Sequence, residues 1–399
     1  MIVVSLLILG ALAATAWSAL AVRLILMSRG PWFRFLDAAP TGAVVPGSPT
    51  VEAIVPARNE EAHVAATVES LRRQDYPNLS ITLVDDESTD STLAIVRKLA
   101  EDSPEGAAPL HVVEGTTRPS GWVGKTWAVH QAALLTRGEW LWFVDADMGL
   151  DPRALSTALL EADRTNADLV SFMPGVRCET FWQTTVGMSL LHILAHLFPL
   201  DRVNDPDRAE ALAAGGFLLI RRSIYEQAGG HEAVRHAIVE DIALSRRVKA
   251  MGGRLAVRLA PRLAWTHMYG SFRDIWVGLR KNAYAGMDYQ PHKFVVGAMV
   301  ALVLAWAPGA AILVGVLRGS TALIGVGVWG LLAQVAATIP NLVFVGEGFL
   351  YALALPIGIT AYVAIATASA WHYHRGRVLW KGRSIDASIV VGSVGPPIP

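Results

Sequence analysis

Four long apolar runs constrain this chain more than any other feature, because a lipid core admits only helices or closed barrels. The first extends from Ile2 to Met27, and Arg23 is its only charge. Three more lie near 295–317, 323–345 and 349–371. Each is longer than the ~20 apolar residues that a helix needs to cross a bilayer. These runs explain why 53% of the 399 residues are hydrophobic and only 17% charged, where a soluble domain carries about a quarter charged. The first run has no basic segment before it and is long for a signal peptide core, so it reads as an uncleaved anchor. Arg23, Arg29 and Arg34 gather at its C-terminal end. The positive-inside rule then places the N-terminus outside and the residues that follow in the cytoplasm. Three C-terminal spans would put the tail outside, yet Arg375, Arg377, Lys381 and Arg383 favour the inside. The run holding Pro356 is the first suspect for a re-entrant or interfacial segment. No ionisable residue lies deep in these three runs, so a transport pathway has no support. The formal net charge is zero, which leaves no basic footprint for nucleic acid. The single cysteine, Cys178, excludes a disulfide within the chain and a cysteine-based zinc site.

Between the apolar ends the pattern changes. Residues 38–50 are rich in Pro, Gly and small side chains and read as a linker. From Val51, short β-branched runs alternate with helical stretches, which predicts βαβ units around a mostly parallel sheet. Residues 51–57 form the first strand and end in Arg58-Asn59-Glu60-Glu61. Residues 79–84 form the second and end in Asp85-Asp86-Glu87-Ser88-Thr89-Asp90, where Ser88 or Asp90 suits a helix cap. The apolar run Trp140-Leu-Trp-Phe-Val stops at Asp145-Ala146-Asp147. An open α/β sheet binds ligands past the carboxyl ends of its strands. Two acids at i and i+2 there can hold a divalent metal and, through it, a diphosphate. Taken alone, the pair is equally an exposed strand end with two solvated acids, and Asp85 and Asp86 are equally acids favoured at a helix start. Gly121-Trp122-Val123-Gly124-Lys125 precedes another helix. Glycines there let backbone approach an anion, with Lys125 adding charge; a plain loop with a surface lysine is the other reading.

Taken together, Pro56-Ala57-Arg58-Asn59-Glu60, Val84-Asp85-Asp86-Glu87-Ser88-Thr89-Asp90 and Asp145-Ala146-Asp147 resemble the motifs of family 2 inverting glycosyltransferases with the GT-A fold. The resemblance implies a nucleotide-sugar donor, expected to be a UDP-sugar. It implies that Pro56, Glu60 and Asp85 hold base and ribose, with Ala57 and Arg58 in the same donor motif. Asp147 would be the main ligand of Mg²⁺ or Mn²⁺, assisted by Asp145, and Lys125 would lie near the nucleotide. Ala213-Ala-Gly215-Gly216 resembles the segment under the donor sugar, so Gly216 joins the donor set. Ile238-Val239-Glu240-Asp241 matches the step that carries the family's catalytic base, so Asp241 is the expected base and Glu240 the fallback. Acids at a helix N-terminus are also favoured without any function.

Arg177-Cys178-Glu179, Val203-Asn204-Asp205-Pro206 and the Ala-Ala-Gly-Gly block look most like the hopene-associated members, with carotenoid and other lipid glycosyltransferases next. His192 and His196 are spaced i, i+4 within the apolar stretch 181–200. That spacing suits zinc, but no third ligand is near, and the stretch reads better as an interfacial helix. Processive family members carry Gln-x-x-Arg-Trp near residues 279–282; this chain has Leu279-Arg280-Lys281-Asn282 instead, which argues against a processive synthase. Arg280 or Lys281 would then neutralise the leaving diphosphate, or serve only to snorkel at the interface.

The expected layout is an anchor over 1–28, a linker over 29–50 and a GT-A domain over 51–270. An interfacial segment over 271–293, a membrane region over 294–372 and a basic tail over 373–399 complete it. The expected activity is metal-dependent transfer of a sugar from a nucleotide-sugar to a lipid hydroxyl, by a multi-pass plasma-membrane protein whose catalytic domain is cytoplasmic. A nucleotidyltransferase is the rival enzyme, but it would need a basic glycine-rich loop where Arg58-Asn59-Glu60-Glu61 stands. A non-catalytic lipid-binding scaffold is the rival without chemistry, and three intact acidic motifs count against it.

Overall fold

The computed structural model describes residues 2–266, 269–287, 289–375, 378–380 and 383–385. Arg377 and Lys381 of the basic tail lie outside the described residues. The chain divides into two compact units. One comprises Arg34–Arg177, Leu200–Met268 and Tyr373–Pro399; the other comprises Met1–Phe33, Cys178–Pro199 and Tyr269–His372.

The first unit is built on a seven-stranded mixed sheet. Its strands are β1 (Val51–Ala57), β2 (Leu79–Asp85), β3 (Leu110–Glu114), β4 (Trp140–Phe143), β6 (Leu169–Met173), β8 (Leu218–Arg221) and β9 (Leu255–Leu259), in the order β3-β2-β1-β4-β8-β6-β9. Strands β5 (Met148–Leu150), β7 (Gly175–Val176) and β10 (Ala264–Thr266) form a small second sheet in the order β5-β10-β7. β1 and β4 are buried along nearly their whole length, as strands covered on both faces should be; the one charge within β1, Glu52, accepts from Ser80 and Thr82 hydroxyls on β2. β1, β2, β3 and β4 run parallel, whereas β8 is antiparallel to both β4 and β6.

Register brings the acidic motifs to one edge. Ala57 pairs with Asp85 at the ends of β1 and β2, and Ile54 pairs with Phe143. Val144 N–H then donates to Ile54 C=O at 3.1 Å, so Asp145 emerges beside the end of β1. The helix Thr92–Glu101 has Asp90 at its entrance, where Asp90 Oδ1 accepts from Thr92 N–H at 3.0 Å and Thr92 Oγ1 at 2.6 Å. Ser88, the other expected cap, instead accepts from Asn59 N–H at 3.0 Å. The helix Ala154–Thr165 follows a turn in which Asp151 Oδ1 accepts from Arg153 N–H at 2.9 Å. Beneath the sheet, Arg258 on β9 is buried against Glu161.

The second unit is helical. It holds the helices Ile2–Ser28, Phe181–Leu197, Phe272–Asn282, Pro291–Arg318 and Thr321–Val345, and most of Leu355–His374. Four stretches, Val3–Ser28, Pro291–Arg318, Thr321–Val345 and Phe349–His374, are long and apolar enough to cross a membrane. They coincide with the four runs read from the sequence. Helix contacts use small residues, as membrane packing favours. A Cβ on Gly327 would meet Pro308 C=O at 2.7 Å, and one on Gly358 would collide with Thr185 C=O. Phe181–Leu197 opens with a capping box between Thr180 and Gln183. Phe272–Asn282 is capped by Ser271 Oγ, which accepts from Asp274 N–H, and buries Ile275 and Leu279.

Candidate active site

The turn after β4 carries the two acids and is locked from both sides. Met148 N–H donates to Asp145 C=O at 3.2 Å, closing the turn. Thr67 Oγ1, on the helix Val64–Arg72, donates to Ala146 C=O at 2.8 Å. β5 then starts at Met148 and pairs with β10 through Thr266. Thr266 Oγ1 donates to Asp147 Oδ2 at 3.0 Å. Burial, then the nearby carboxylates of Asp145 and Glu60, push the Asp147 carboxyl up to about 6. Nothing in the sequence around Thr266 marked it for this role.

A lysine ties this turn to the next acidic element. Lys125 starts the helix Gly124–Leu135, one turn after Gly121, which adopts a left-handed φ of +86°. Its Nζ donates to Asp145 Oδ1 at 2.6 Å and to Glu240 Oε1 at 2.7 Å. Burial pushes its pKa down, but the carboxylates of Asp145, Glu240 and Asp241 outweigh that and hold the ammonium well above the usual lysine range.

Glu240 and Asp241 open the helix Glu240–Ala250, where the helix dipole favours anions. Asp241 Oδ2 accepts from Gly215 N–H at 2.7 Å and Oδ1 accepts from Ile242 N–H at 2.8 Å. Burial, then Glu240, lift the Asp241 carboxyl to about 7, against the lowering pull of Lys125 and the two amide bonds. That value suits a general base. Pro56, Lys125, Asp145, Gly215, Glu240 and Asp241 line one pocket, with His231 beside them. His231 is buried behind Tyr225, whose hydroxyl lies 3.0 Å from its Nδ1. Burial, then the charge on Lys125, push the His231 imidazole down to about 3. It is therefore a neutral wall of the pocket.

The first two motifs interlock beside this pocket. Arg58 is buried and donates to the carbonyls of Asp86 and Glu87, at 2.8 Å in the second case. Asp86 N–H donates to Ala57 C=O at 2.8 Å, and Thr89 N–H donates to Asn59 Oδ1 at 2.8 Å. Asn59 and Glu87 adopt left-handed φ values of +50° and +53°, a strained conformation that persists where the surroundings impose it. Asp85 Oδ2 accepts from Ser88 N–H at 3.1 Å, while the buried Oδ1 has no partner. An unpaired buried carboxylate oxygen costs roughly 1–3 kcal/mol, and a ligand donor would remove that cost.

Pro56, Ala57, Arg58, Glu60, Asp85, Lys125, Asp145, Asp147, Gly216 and Asp241 therefore all belong to the α/β unit. Gly216 packs against Met148 Sδ, which a Cβ there would meet at 2.8 Å. Its neighbour Gly215 is the glycine that touches Asp241. Arg280 belongs to the helical unit, where its Nη1 lies 3.3 Å from His372 Nε2. Among the described residues, no group of three or more His, Cys, Asp or Glu is gathered as a metal-ligand set. His192 accordingly has no such set around it; its Nδ1 lies 3.1 Å from Asn341 Nδ2. At Asp147, a carboxyl held up by two neighbouring carboxylates fits a hard cation. Mg²⁺ commonly takes one or two protein carboxylates and completes its shell with phosphate oxygens and water. Asp147 and Asp145 match that donor set.

Comparison with known proteins agrees with this geometry. Residues 52–229, somewhat under half of the chain, match the family described as Glycosyl transferase family 2. The 4,4'-diaponeurosporenoate glycosyltransferase of Staphylococcus aureus is 25% identical over 245 residues, covering 58% of this chain. The chain spans about 60% of the length of the curated relatives it matches. Among solved structures, the mannosyltransferase PcManGT from Pyrobaculum calidifontis, in complex with GDP-Man and Mn²⁺, is similar with a TM-score of 0.51 at 20% identity. That likeness covers 90% of this chain and 98% of the other. The fold is thus of the GT-A class, and within its α/β unit residues 52–229 match the family 2 glycosyl transferases.

Proposed function

We propose that this chain is an inverting, metal-assisted glycosyltransferase that moves a sugar from a nucleoside diphosphate sugar, a UDP-sugar by our reading, to the hydroxyl of a lipid. One observation carries the reading most: Asp241, lifted to about 7, shares a pocket with Lys125 and Asp145. The acceptor oxygen attacks the anomeric carbon from the face opposite the diphosphate. Its proton passes to Asp241, the bond from the anomeric carbon to the diphosphate oxygen breaks, and the nucleoside diphosphate leaves with the electron pair. Gly215 and Ile242 amides fix both oxygens of Asp241 for that transfer. Pro56, Ala57, Arg58, Glu60 and Asp85 would receive base and ribose, and Asp85 Oδ1 is the oxygen left for a ligand donor. Gly216 would lie under the donor sugar. Asp147, helped by Asp145, would hold Mg²⁺ or Mn²⁺, which offsets charge on the departing diphosphate.

The lipid acceptor draws its support from the four apolar helices and from the Staphylococcus aureus relative, which is named for 4,4'-diaponeurosporenoate. A hopanoid, carotenoid or polyprenol fits the reading. The catalytic domain would be cytoplasmic in the plasma membrane, following Arg23, Arg29 and Arg34. The test uses membranes holding the full chain, a panel of labelled nucleotide sugars and a lipid extract. The expected result is labelled lipid that requires Mg²⁺ or Mn²⁺ and is lost in Asp147→Ala. Metal-independent transfer, undiminished in Asp147→Ala, would overturn the metal role; label confined to water-soluble products would overturn the lipid acceptor.

A further inference from the structure

Glu240 is an acid that the transfer reaction, as written above, leaves without a task. Its side chain is 10% exposed and bonded to Lys125 Nζ at 2.7 Å. The same ammonium bonds Asp145 Oδ1 at 2.6 Å. It also stands beside the base: a Cβ on Gly215 would lie 3.0 Å from Lys125 Nζ and 3.1 Å from Asp241 Oδ2. One cation therefore occupies the space between the 145–147 turn and the start of the helix Glu240–Ala250, and a glycine keeps that space clear.

The chemistry of the link follows from the residue types. A lysine ammonium is a compact charge with three donors, so it can serve two carboxylates at once. Removing one partner of a buried charge pair costs far more than a surface pair is worth, because the other charge is left uncompensated. Glu240 and Asp241 are consecutive in the first helical turn. Holding Glu240 therefore fixes the rotation and height of that turn, and with it the direction in which Asp241 points. Gly215 holds the same carboxylate through its N–H.

We propose that Lys125 and Glu240 are positioning residues that tie the donor-side acid Asp145 to the base Asp241, so that the aim of the base depends on the state of the donor-side turn. The link rests on the transfer reading above. It gives Lys125 a task beyond attracting the nucleotide, and it gives Glu240 a task that does not involve touching a substrate. Its signature is a loss in turnover rather than in donor affinity, shared between two residues that act as one unit.

The experiment is a double-mutant cycle on the full-length protein in nanodiscs. It measures kcat and donor KM with a labelled UDP-sugar and lipid extract, and UDP binding with Mn²⁺ by calorimetry. The variants are Lys125→Met, Glu240→Gln and the pair together, with Lys125→Arg as the conservative rescue. Each single change is expected to lower kcat by about ten- to a hundredfold, and the double change by little more than the worse single, as residues in one network do. Glu240→Gln should bind UDP like the parent protein, and Lys125→Arg should recover part of the lost kcat. Losses that multiply in the double variant would overturn the link. So would a Glu240→Gln protein that loses UDP affinity while keeping its kcat. If the charge-removing variants fail to fold, Lys125→Arg and Glu240→Asp run the same cycle with both charges kept, and additivity there overturns it equally. A parent protein that neither binds UDP nor transfers sugar would overturn the transfer reading itself, whereas a parent that transfers normally with an additive cycle defeats only the link.

Discussion

The two units both bury apolar side chains but expose opposite surfaces. In the α/β unit the apolar side chains are inside, and Val44, Leu134, Leu135 and Met251 are its exposed large hydrophobics among the described residues. Its interior also holds paired charge: Arg258 with Glu161, Arg58 with backbone carbonyls, Lys125 with two acids. In the helical unit Val295, Val296, Met299, Val300, Leu313 and Val316 point outward along a single helix, while polar Gln334, Thr338 and Asn341 are buried. An apolar outer face, with the few polar side chains kept inside among apolar ones, is the arrangement that lipid demands. The same burial rule thus gives two patterns because the two units face different solvents. The proposed chemistry falls where paired charge is held out of water, at the edge shared by β1, β2 and β4.

The contrast can be broken or sharpened by substitution. The largest effect is expected at the base: Asp241→Asn should lower transfer by about 10³-fold, within the range of a lost general base, while leaving membrane extraction unchanged. Next comes the buried ion pair. Arg258→Ala leaves buried Glu161 paired with the exposed Arg164 alone and should cost the α/β unit about 3 kcal/mol, the low end for breaking a buried pair, read as a fall in the denaturation midpoint. On the helical unit, Val303→Arg places a charge at the middle of an outward apolar face and should cost ~3 kcal/mol of membrane insertion, measured as the inserted fraction. The matching change in the α/β unit, Leu134→Arg, should alter stability by no more than about 0.5 kcal/mol. Equal costs for these last two would remove the distinction between the units.

The pH response separates activity from stability. A base with a carboxyl near 7 must lose its proton to act, so kcat/KM should fall about tenfold per unit as pH drops below 7. Stability runs the other way for this group. Its folded pKa lies above the unfolded value of 3.8, so the folded state binds the extra proton between pH 4 and 7. The stabilisation from Asp241 is present at low pH and lost as pH rises through about 7. A flat activity profile from pH 6 to 8 would contradict the environment described for Asp241.

Much of this arrangement was legible from local pattern. The four apolar runs became four long helices, and the acids at the ends of β2 and β4 lie where buried strands stop. What the pattern hid was contact across the sequence. Thr266 reaches Asp147 across 119 residues, and Gly215 reaches Asp241 across 26. Such pairings come from the β5–β10 ladder and from the entry to β8, which no periodicity reports. The stretch 181–200, read as an interfacial helix within the span 51–270 of the GT-A domain, forms the helix Phe181–Leu197 and clusters with the helical unit, where its apolar side chains pack against other apolar helices. Lys125 was visible as a cation near a glycine loop; that it bridges two acids required the fold.

The measurement that tests the account most directly is the rate at which the full chain, in membranes with Mn²⁺, transfers labelled sugar from a UDP-sugar to lipid, compared between the parent protein and Asp241→Asn. The account predicts labelled lipid with inverted anomeric configuration from the parent, and transfer lower by about 10³-fold from the variant, with UDP binding intact in both. An Asp241→Asn protein that transfers as fast as its parent, or a product with retained configuration, would contradict it.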